Sequence, residues 1–317
     1  MRKAACKICS HKVKSKQILT RSNTLKKIYS CLKCDFEFFD FNPKKNLEDN
    51  KLEISRLKKA GLKIPSLKEN FKSSIAQSKS YVNNYLKKSD KKKNILEIGC
   101  AHGSFLYEAK KFGCKVTGLE INNLLRSNLN KRLGIKCLKT ISQLQKEKIK
   151  FKKIFLFYSI EYFLNFKEDL ISLQRMLEPM GEIVIITPNK NDIFNSIYFN
   201  KAYENFFYDI NSINYFSPKS INSLMKILNL KKYKIIVKQG YSFMNFIHWC
   251  LNNRPIKTGY VGEDKFNRVI LNNFKQTKKY QAVIKNMINL LKNSEISFKN
   301  YLQKNKIGNQ IILKIKK

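Results

Sequence analysis

The chain has 317 residues and no long apolar run. A membrane-spanning helix needs roughly 18–20 consecutive apolar residues. The nearest approach, YSFMNFIHWCL, is short and broken by Asn245 and His248. The start, MRKAACKICSHKVKSK, is basic and lacks the apolar core of a secretory signal. These two absences lead us to expect a cytoplasmic protein without a membrane span, whose cysteines are metal ligands or reduced thiols rather than disulfides. Histidine is scarce, at positions 11, 102 and 248 only. Acidic residues number 23 against 63 Lys and Arg, giving a net charge of +40. Arginine, the preferred residue for bidentate phosphate recognition, occurs only eight times, which leaves 63 − 8 = 55 lysines. Lys, Asn and Ile all have AT-rich codons, so composition alone accounts for the charge. Lysine still attracts a phosphate backbone, which keeps a nucleic-acid surface open as a second reading.

Two nucleotide-binding fingerprints are also missing. The turn after strand NILEIG, Glu97-Ile-Gly99-Cys100-Ala101-His102-Gly103, has Gly, Ala and Ser where GxGxxG would want glycines at 99, 101 and 104. A GxxxxGK[ST] phosphate loop is absent. What stands there is acidic-x-Gly-x-small-x-Gly, running into the helical stretch SFLYEAKKFG. The next strand, KVTGLEI, ends in Glu120, about twenty residues on, where a carboxylate accepts both ribose hydroxyls.

Half of the eight cysteines lie in the first 34 residues, as Cys6-x-x-Cys9 and Cys31-x-x-Cys34. Two such pairs suit a tetrahedral structural zinc site with four thiolates. We therefore read residues 1–45 as a zinc-ribbon-like module. It either shapes a substrate cleft or binds nucleic acid. Residues 46–93 read as a lysine-rich linker or cap with helical patches at 46–59 and 71–87, interrupted by Gly61 and Pro65. From 94 to 240 strands and helices alternate, the pattern of a doubly wound α/β sheet that binds ligands at the carboxyl ends of its strands. Pro179 and Gly181 read as the turn into strand EIVIITP. Residues 241–308 read as a helical insertion, a substrate lid or a dimer face, and 309–317 as the last core strand.

LEIGCAHGSFL, VTGLEI, FYSIEYFLNFKEDLISLQRMLEPMGEIVIITPN and NYFSPKSINSLMKILNL, in this order and spacing, resemble the motifs of class I S-adenosylmethionine-dependent methyltransferases. The CxxC pairs in front resemble a subgroup of bacterial sugar and small-molecule methyltransferases. The resemblance implies a seven-stranded Rossmann-like α/β sheet behind a small zinc ribbon. It implies S-adenosylmethionine as cofactor beside structural zinc. Gly99, Cys100, Ala101, His102 and Gly103 would wrap the methionine and ribose portion. Glu97 would contact the turn or the amino group, Glu120 would hold the ribose hydroxyls, and Ile121 would pack on adenine. Tyr158 and Ser159 would line the methyl-donor pocket.

The chain departs from that pattern in places. Ala101 replaces the middle glycine, which requires a negative φ. Glu161-Tyr162 stands where many relatives have Glu-His, and Asn214 stands where many have histidine, so the usual histidine base is missing. Methyl transfer needs alignment of donor and nucleophile and, for a hydroxyl, removal of its proton. The remaining candidates are Glu161, Tyr162, Tyr208 and Asp209. No Asn/Asp-Pro-Pro-aromatic motif follows the fourth strand, and no cysteine precedes a proline. These absences argue against exocyclic amines of bases and against pyrimidine C5 as targets. The expectation is methyl transfer to a small-molecule acceptor, a sugar or nucleotide sugar. RNA methylation is the alternative, and a non-catalytic zinc-binding adaptor is the third reading.

Overall fold

The computed structural model describes residues 4–42, 47, 48, 54, 58, 63–209, 211–256 and 281–317. The helical patch expected at 46–59 lies largely outside these residues, as does the part of the expected insertion at 257–280. Three short strands come first: β1 (Lys14–Leu19), β2 (Leu25–Ser30) and β3 (Glu37–Phe39). Helix α1 (Leu67–Tyr85) opens on a capping box, in which Ser66 accepts from the Glu69 amide and Glu69 from the Ser66 amide. The alternating region then runs β4 (Asn94–Ile98), α2 (Ser104–Phe112), β5 (Lys115–Leu119), α3 (Asn123–Arg132) and β6 (Cys137–Leu138). It continues with α4 (Ile141–Lys146), β7 (Phe151–Phe157), α5 (Phe166–Arg175) and β8 (Leu177–Pro188). After β8 come α6 (Ile193–Ser196), α7 (Lys201–Phe207), β9 (Asn214–Tyr215) and α8 (Pro218–Ile227). The chain closes with β10 (Tyr233–Lys238), α9 (Phe243–Asn252), α10 (Gln281–Lys304) and β11 (Gln310–Lys316). Among the described residues no helix is long and apolar enough to cross a membrane.

Seven strands form one sheet in the order β10-β11-β8-β7-β4-β5-β6. Strands β4 to β8 pair in parallel, and β11 runs antiparallel to β8 and β10. The strand order reverses between β4 and β7, so the turns that follow these two strands open onto one crevice. The turn expected at Pro179–Gly181 is absorbed into the strand, since β8 begins at Leu177. Phe151 pairs with Leu177 but Lys153 pairs with Glu182, so the intervening residues bulge out of the ladder. Met180 takes a φ of 57° at the outside of that bulge. A bulge absorbs Pro179 and Gly181 without breaking the strand.

A second sheet has the order β1-β2-β3-β9. Its first three strands come from the cysteine-bearing module and its fourth from the segment before α8. Glu37 pairs with Tyr215 and Phe38 with Asn214. The module is therefore tied to the main body by main-chain hydrogen bonds as well as by packing. Phe36 is fully buried, with its ring 5.7 Å from Phe166 and 5.2 Å from Phe216. It belongs to one continuous apolar core with Leu96, Leu156 and Ile185 of the large sheet. The opposite face is covered by α1 and α2 through Val82, Tyr85, Phe105 and Leu106. Phe36→Ala should lower unfolding stability by about 3–5 kcal/mol, the usual cost of deleting a fully buried aromatic ring. Urea unfolding measures this, and a loss under 1 kcal/mol would mean that the two units do not share a core.

Candidate cofactor turn and acceptor cleft

The turn after β4 is built by two glycines in left-handed conformations. Gly99 has φ 71°, and a Cβ there would lie 2.7 Å from the Ser159 Cβ. Gly103 has φ 74°, and its added Cβ would meet Leu129 Cδ2 at 2.1 Å. Neither position accommodates a side chain. Ala101 has φ 44°, not the negative value that its side chain favours. Its amide donates to Glu120 Oε2 at 2.8 Å, which offsets the left-handed strain. Glu120 also accepts the Asn122 amide at Oε1, 2.8 Å away. The Glu120 carboxylate thus holds the turn while keeping lone pairs free for further donors. Burial raises its pKa, against the pull of those amides.

Around the turn, Glu97 Oε2, His102 Nδ1 and Ser159 Oγ are buried without a hydrogen-bond partner. Burial, with the nearby Glu120 adding to it, pushes the Glu97 pKa well up. Burial lowers the His102 pKa. Three orphaned polar groups, one on β4 and one in each of the turns after β4 and β7, indicate that a polar ligand completes their bonding. Cys100 is buried with its Sγ 3.7 Å from that of Cys137, and Gly118 lies beneath both. The Ile121 carbonyl is held by Arg126 Nη1 at 3.2 Å. Helix α1 flanks the turn: Ser104 Oγ donates to the Phe71 carbonyl at 3.2 Å, and Tyr81 stacks on Phe157 with centroids 4.3 Å apart.

The turn after β7 joins this site to a cavity. Tyr158 has φ 52°, strained for an aromatic residue. Ser159 abuts Gly99, while Tyr158, Glu161 and Tyr162 line a cleft of about 400 Å3. Glu161 is buried, and Thr187 Oγ1 donates to its Oε2 at 3.2 Å. Burial raises its pKa to about 8. Burial also raises the Tyr162 pKa. Tyr208 lies behind the wall with its hydroxyl donating to Glu37 Oε2 at 2.6 Å, and burial raises its pKa as well. Asp209 lines the cleft and accepts the Asn211 amide at 2.9 Å. Of the four candidate bases, Glu161, Tyr162 and Asp209 reach the cleft, and Tyr208 is committed to Glu37.

The four N-terminal cysteines come together. Their sulfurs lie within 4.8 Å of one another, with Cys6–Cys34 and Cys9–Cys31 both at 3.5 Å. The two knuckles match. Cys6 and Cys31 donate their amides to the His11 and Phe36 carbonyls, and Ser10 and Asp35 return theirs to the cysteine carbonyls. A tetrahedral zinc with Zn–S near 2.3 Å sets its sulfurs about 3.8 Å apart, so the donor set and spacing fit that ion. His11 is exposed and turns its Nδ1 to the Cys9 carbonyl, 3.1 Å away.

A family profile described as "Methyltransferase domain" matches residues 72–235, just over half of the chain. The chain belongs to this methyltransferase-domain family. No curated protein matches it significantly. It is similar to a solved SAM-dependent methyltransferase from Archaeoglobus fulgidus, with 16% identity over 78% of this chain and 97% of that one, and a TM-score of 0.47. It is also similar to a possible histamine N-methyltransferase from Thermotoga maritima, with 14% identity, 78% and 91% coverage, and a TM-score of 0.45. The plantazolicin methyltransferase BpumL, solved with a pentazolic desmethylPZN analog and SAH, matches at 15% identity, 86% and 94% coverage, and a TM-score of 0.46.

In this methyltransferase, sequence reasoning missed several cleft residues: Arg21, Phe206, Tyr241 and Asn309 among them. They converge from the β1–β2 turn, α7 and the segments before α9 and β11. No local spacing marks them, because only the tertiary fold brings them together. Asn214 donates Nδ2 to the Phe163 carbonyl at 2.7 Å. Its Oδ1 is buried without a partner, as is that of Asn211, and both residues line the cleft.

Proposed function

We propose that this methyltransferase transfers a methyl group from S-adenosylmethionine to a hydroxyl of a small polar acceptor, a sugar or nucleotide sugar. The observation that carries the reading is the segment from Tyr158 to Tyr162. It touches the glycine turn on one side, through Ser159, and lines the cleft on the other. Donor and acceptor sites of an in-line transfer must meet in this way. The cleft volume of about 400 Å3 suits a small ligand. Its lining mixes aromatic rings with two asparagine oxygens lacking partners, which suits a ligand rich in hydroxyl donors.

The orphaned Glu97, His102 and Ser159 atoms fit a cofactor with an amino group and ribose hydroxyls. Glu97 and the 99–103 turn would hold the methionine end, Glu120 the ribose, and Ile121 the adenine. When bound, S-adenosylmethionine supplies a methyl group already activated on a sulfonium. Glu161 accepts the acceptor's hydroxyl proton as the oxygen attacks. A pKa near the working pH is what this role demands. Thr187 Oγ1 fixes the carboxyl orientation through its hydrogen bond. The four cysteines hold structural zinc and keep the module in place.

Calorimetry with S-adenosylmethionine on the intact, metal-loaded chain tests the donor assignment. We expect micromolar binding and a tenfold or greater loss in Glu120→Ala, which removes both the ribose acceptor and the turn's anchor. No binding by the wild type would sink the donor assignment. Unchanged affinity in the variant would remove Glu120 from the site. Radiolabelled methyl transfer to sugar phosphates, nucleotide sugars and RNA then separates the acceptor classes.

A further inference from the structure

We propose that Arg21 is an oxyanion anchor in the acceptor cleft, so that the acceptor carries a phosphoryl group. This deepens the function proposed above and rests on it. Arg21 sits in the turn between β1 and β2, in the cysteine-bearing module, yet it lines the cleft of the methyltransferase sheet. Its backbone amide donates to the Tyr208 carbonyl at 2.8 Å, which pins the turn to α7. Its Nε donates to the Phe206 carbonyl at 2.7 Å. The guanidinium lies over the Phe206 ring, 4.1 Å from the centroid. The residue is thus held at three points, two of them on its side chain, while its two terminal amino groups make no hydrogen bond among the described residues.

Among the described residues the nearest carboxylate is Asp209 Oδ2, 3.9 Å from Nη1, beyond hydrogen-bonding distance. The side chain stays 34% exposed, open to the cleft. A guanidinium ordered by stacking and by one Nε bond presents its remaining donors as a fixed fork, the geometry that matches two oxygens of a phosphate. Simple structural pinning accounts for Nε and the ring contact but leaves the fork with only the Asp209 charge, 3.9 Å away, and no hydrogen bond. Among the described residues the cleft lining contains no lysine. In a chain with 55 lysines and eight arginines, compositional bias would have placed lysine at a position requiring charge alone. The fork lies on the module's wall and Glu161 on the sheet's, so a phosphorylated acceptor would reach from one to the other.

Titration of the S-adenosylhomocysteine-loaded, full-length protein with inorganic phosphate, followed by 31P NMR in 150 mM NaCl, tests the proposal. Salt at that level suppresses weak binding to surface lysines. We expect saturable millimolar binding, at least tenfold weaker in Arg21→Gln, with S-adenosylhomocysteine affinity within twofold of wild type. Asp209→Asn keeps an acceptor for the Asn211 amide and removes the competing charge, so it should tighten phosphate binding twofold or more. Parallel titration with acetate separates phosphate from carboxylate: tighter acetate binding would overturn the phosphoryl assignment. Phosphate binding equal in wild type and Arg21→Gln, or weakened in Asp209→Asn, would overturn the anchor. Loss of S-adenosylhomocysteine binding by the wild type would instead count against the donor assignment, so the two failures remain distinct.

Discussion

Removal of the metal that Cys6, Cys9, Cys31 and Cys34 would hold should abolish acceptor methylation while sparing the cofactor turn. Structural zinc supplies on the order of 10–16 kcal/mol to small thiolate sites, so the module loses its fold with its ion. In many proteins a ribbon could be lost without touching a distant site. Here the ribbon strand β3 pairs with β9, and Tyr215 of β9 lines the cleft. Asp35, directly after the second knuckle, accepts Lys190 Nζ and Asn191 Nδ2, each at 2.7 Å. These residues follow β8, whose last residue, Pro188, also lines the cleft. Arg21 comes from the same module. Loss of the metal therefore removes one wall and loosens a second. Glu97, Glu120 and the 99–103 turn sit on the crevice side formed by β4 and β5, held by bonds internal to the large sheet.

The purified chain should carry one zinc per molecule by elemental analysis. After chelation, or in Cys34→Ser, methyl transfer should fall at least a hundredfold, with S-adenosylhomocysteine affinity within about threefold. Amide exchange should accelerate across 14–39 and 213–216 and stay slow in β4 and β7. Parallel loss of cofactor binding would instead mean that the metal supports the whole fold. Retained transfer would mean that the module is dispensable to the cleft.

The contrast between the two halves of the site explains what could be read in advance. The cofactor turn is local: strand, Gly99, Gly103, helix and a carboxylate on the next strand all fall within 94–120, and the chemistry of each residue type forecasts its place. The φ of Ala101 was not legible, because its strain is offset by Glu120, a bond visible only in three dimensions. The start of β8 departs from the turn expected there for a related reason. Pro-Met-Gly has turn chemistry, and the ladder with β7 absorbs it as a bulge. The acceptor cleft depends on contacts between segments up to nearly 300 residues apart, from Arg21 to Asn309. Neither the two-residue strand β9 nor the lone arginine in TRSN carries a periodic signal. The cysteine spacing forecasts a metal site and leaves a cleft-shaping role beside nucleic-acid binding, and the β3–β9 pairing places the module against the cleft through Tyr215.

Glu161→Gln should lower the methylation rate by 10² to 10⁴-fold, the range for a lost general base, while raising stability at neutral pH. The two effects share one cause. The Glu161 carboxyl is buried, with Thr187 Oγ1 as its side-chain donor. Burial raises its pKa from the ordinary 4.5 to about 8. The folded state therefore binds a proton that the unfolded state releases between these two values. The stability contributed by the neutral acid is fully present below pH 4.5 and falls as pH rises, with the loss complete above about 8. The glutamine variant has no such dependence. Its stability advantage should grow across that window, reaching on the order of 4 kcal/mol at its top. Urea unfolding of both proteins at pH 5, 7 and 8.5 measures the difference. For catalysis the dependence reverses, because the ionised form is the base. The wild-type rate should climb with pH to a midpoint at or below 8, since a bound sulfonium favours the carboxylate. A pH-independent stability difference would mean that Glu161 is ordinary and solvated. A full rate in the variant would transfer the proton to Asp209 or to water.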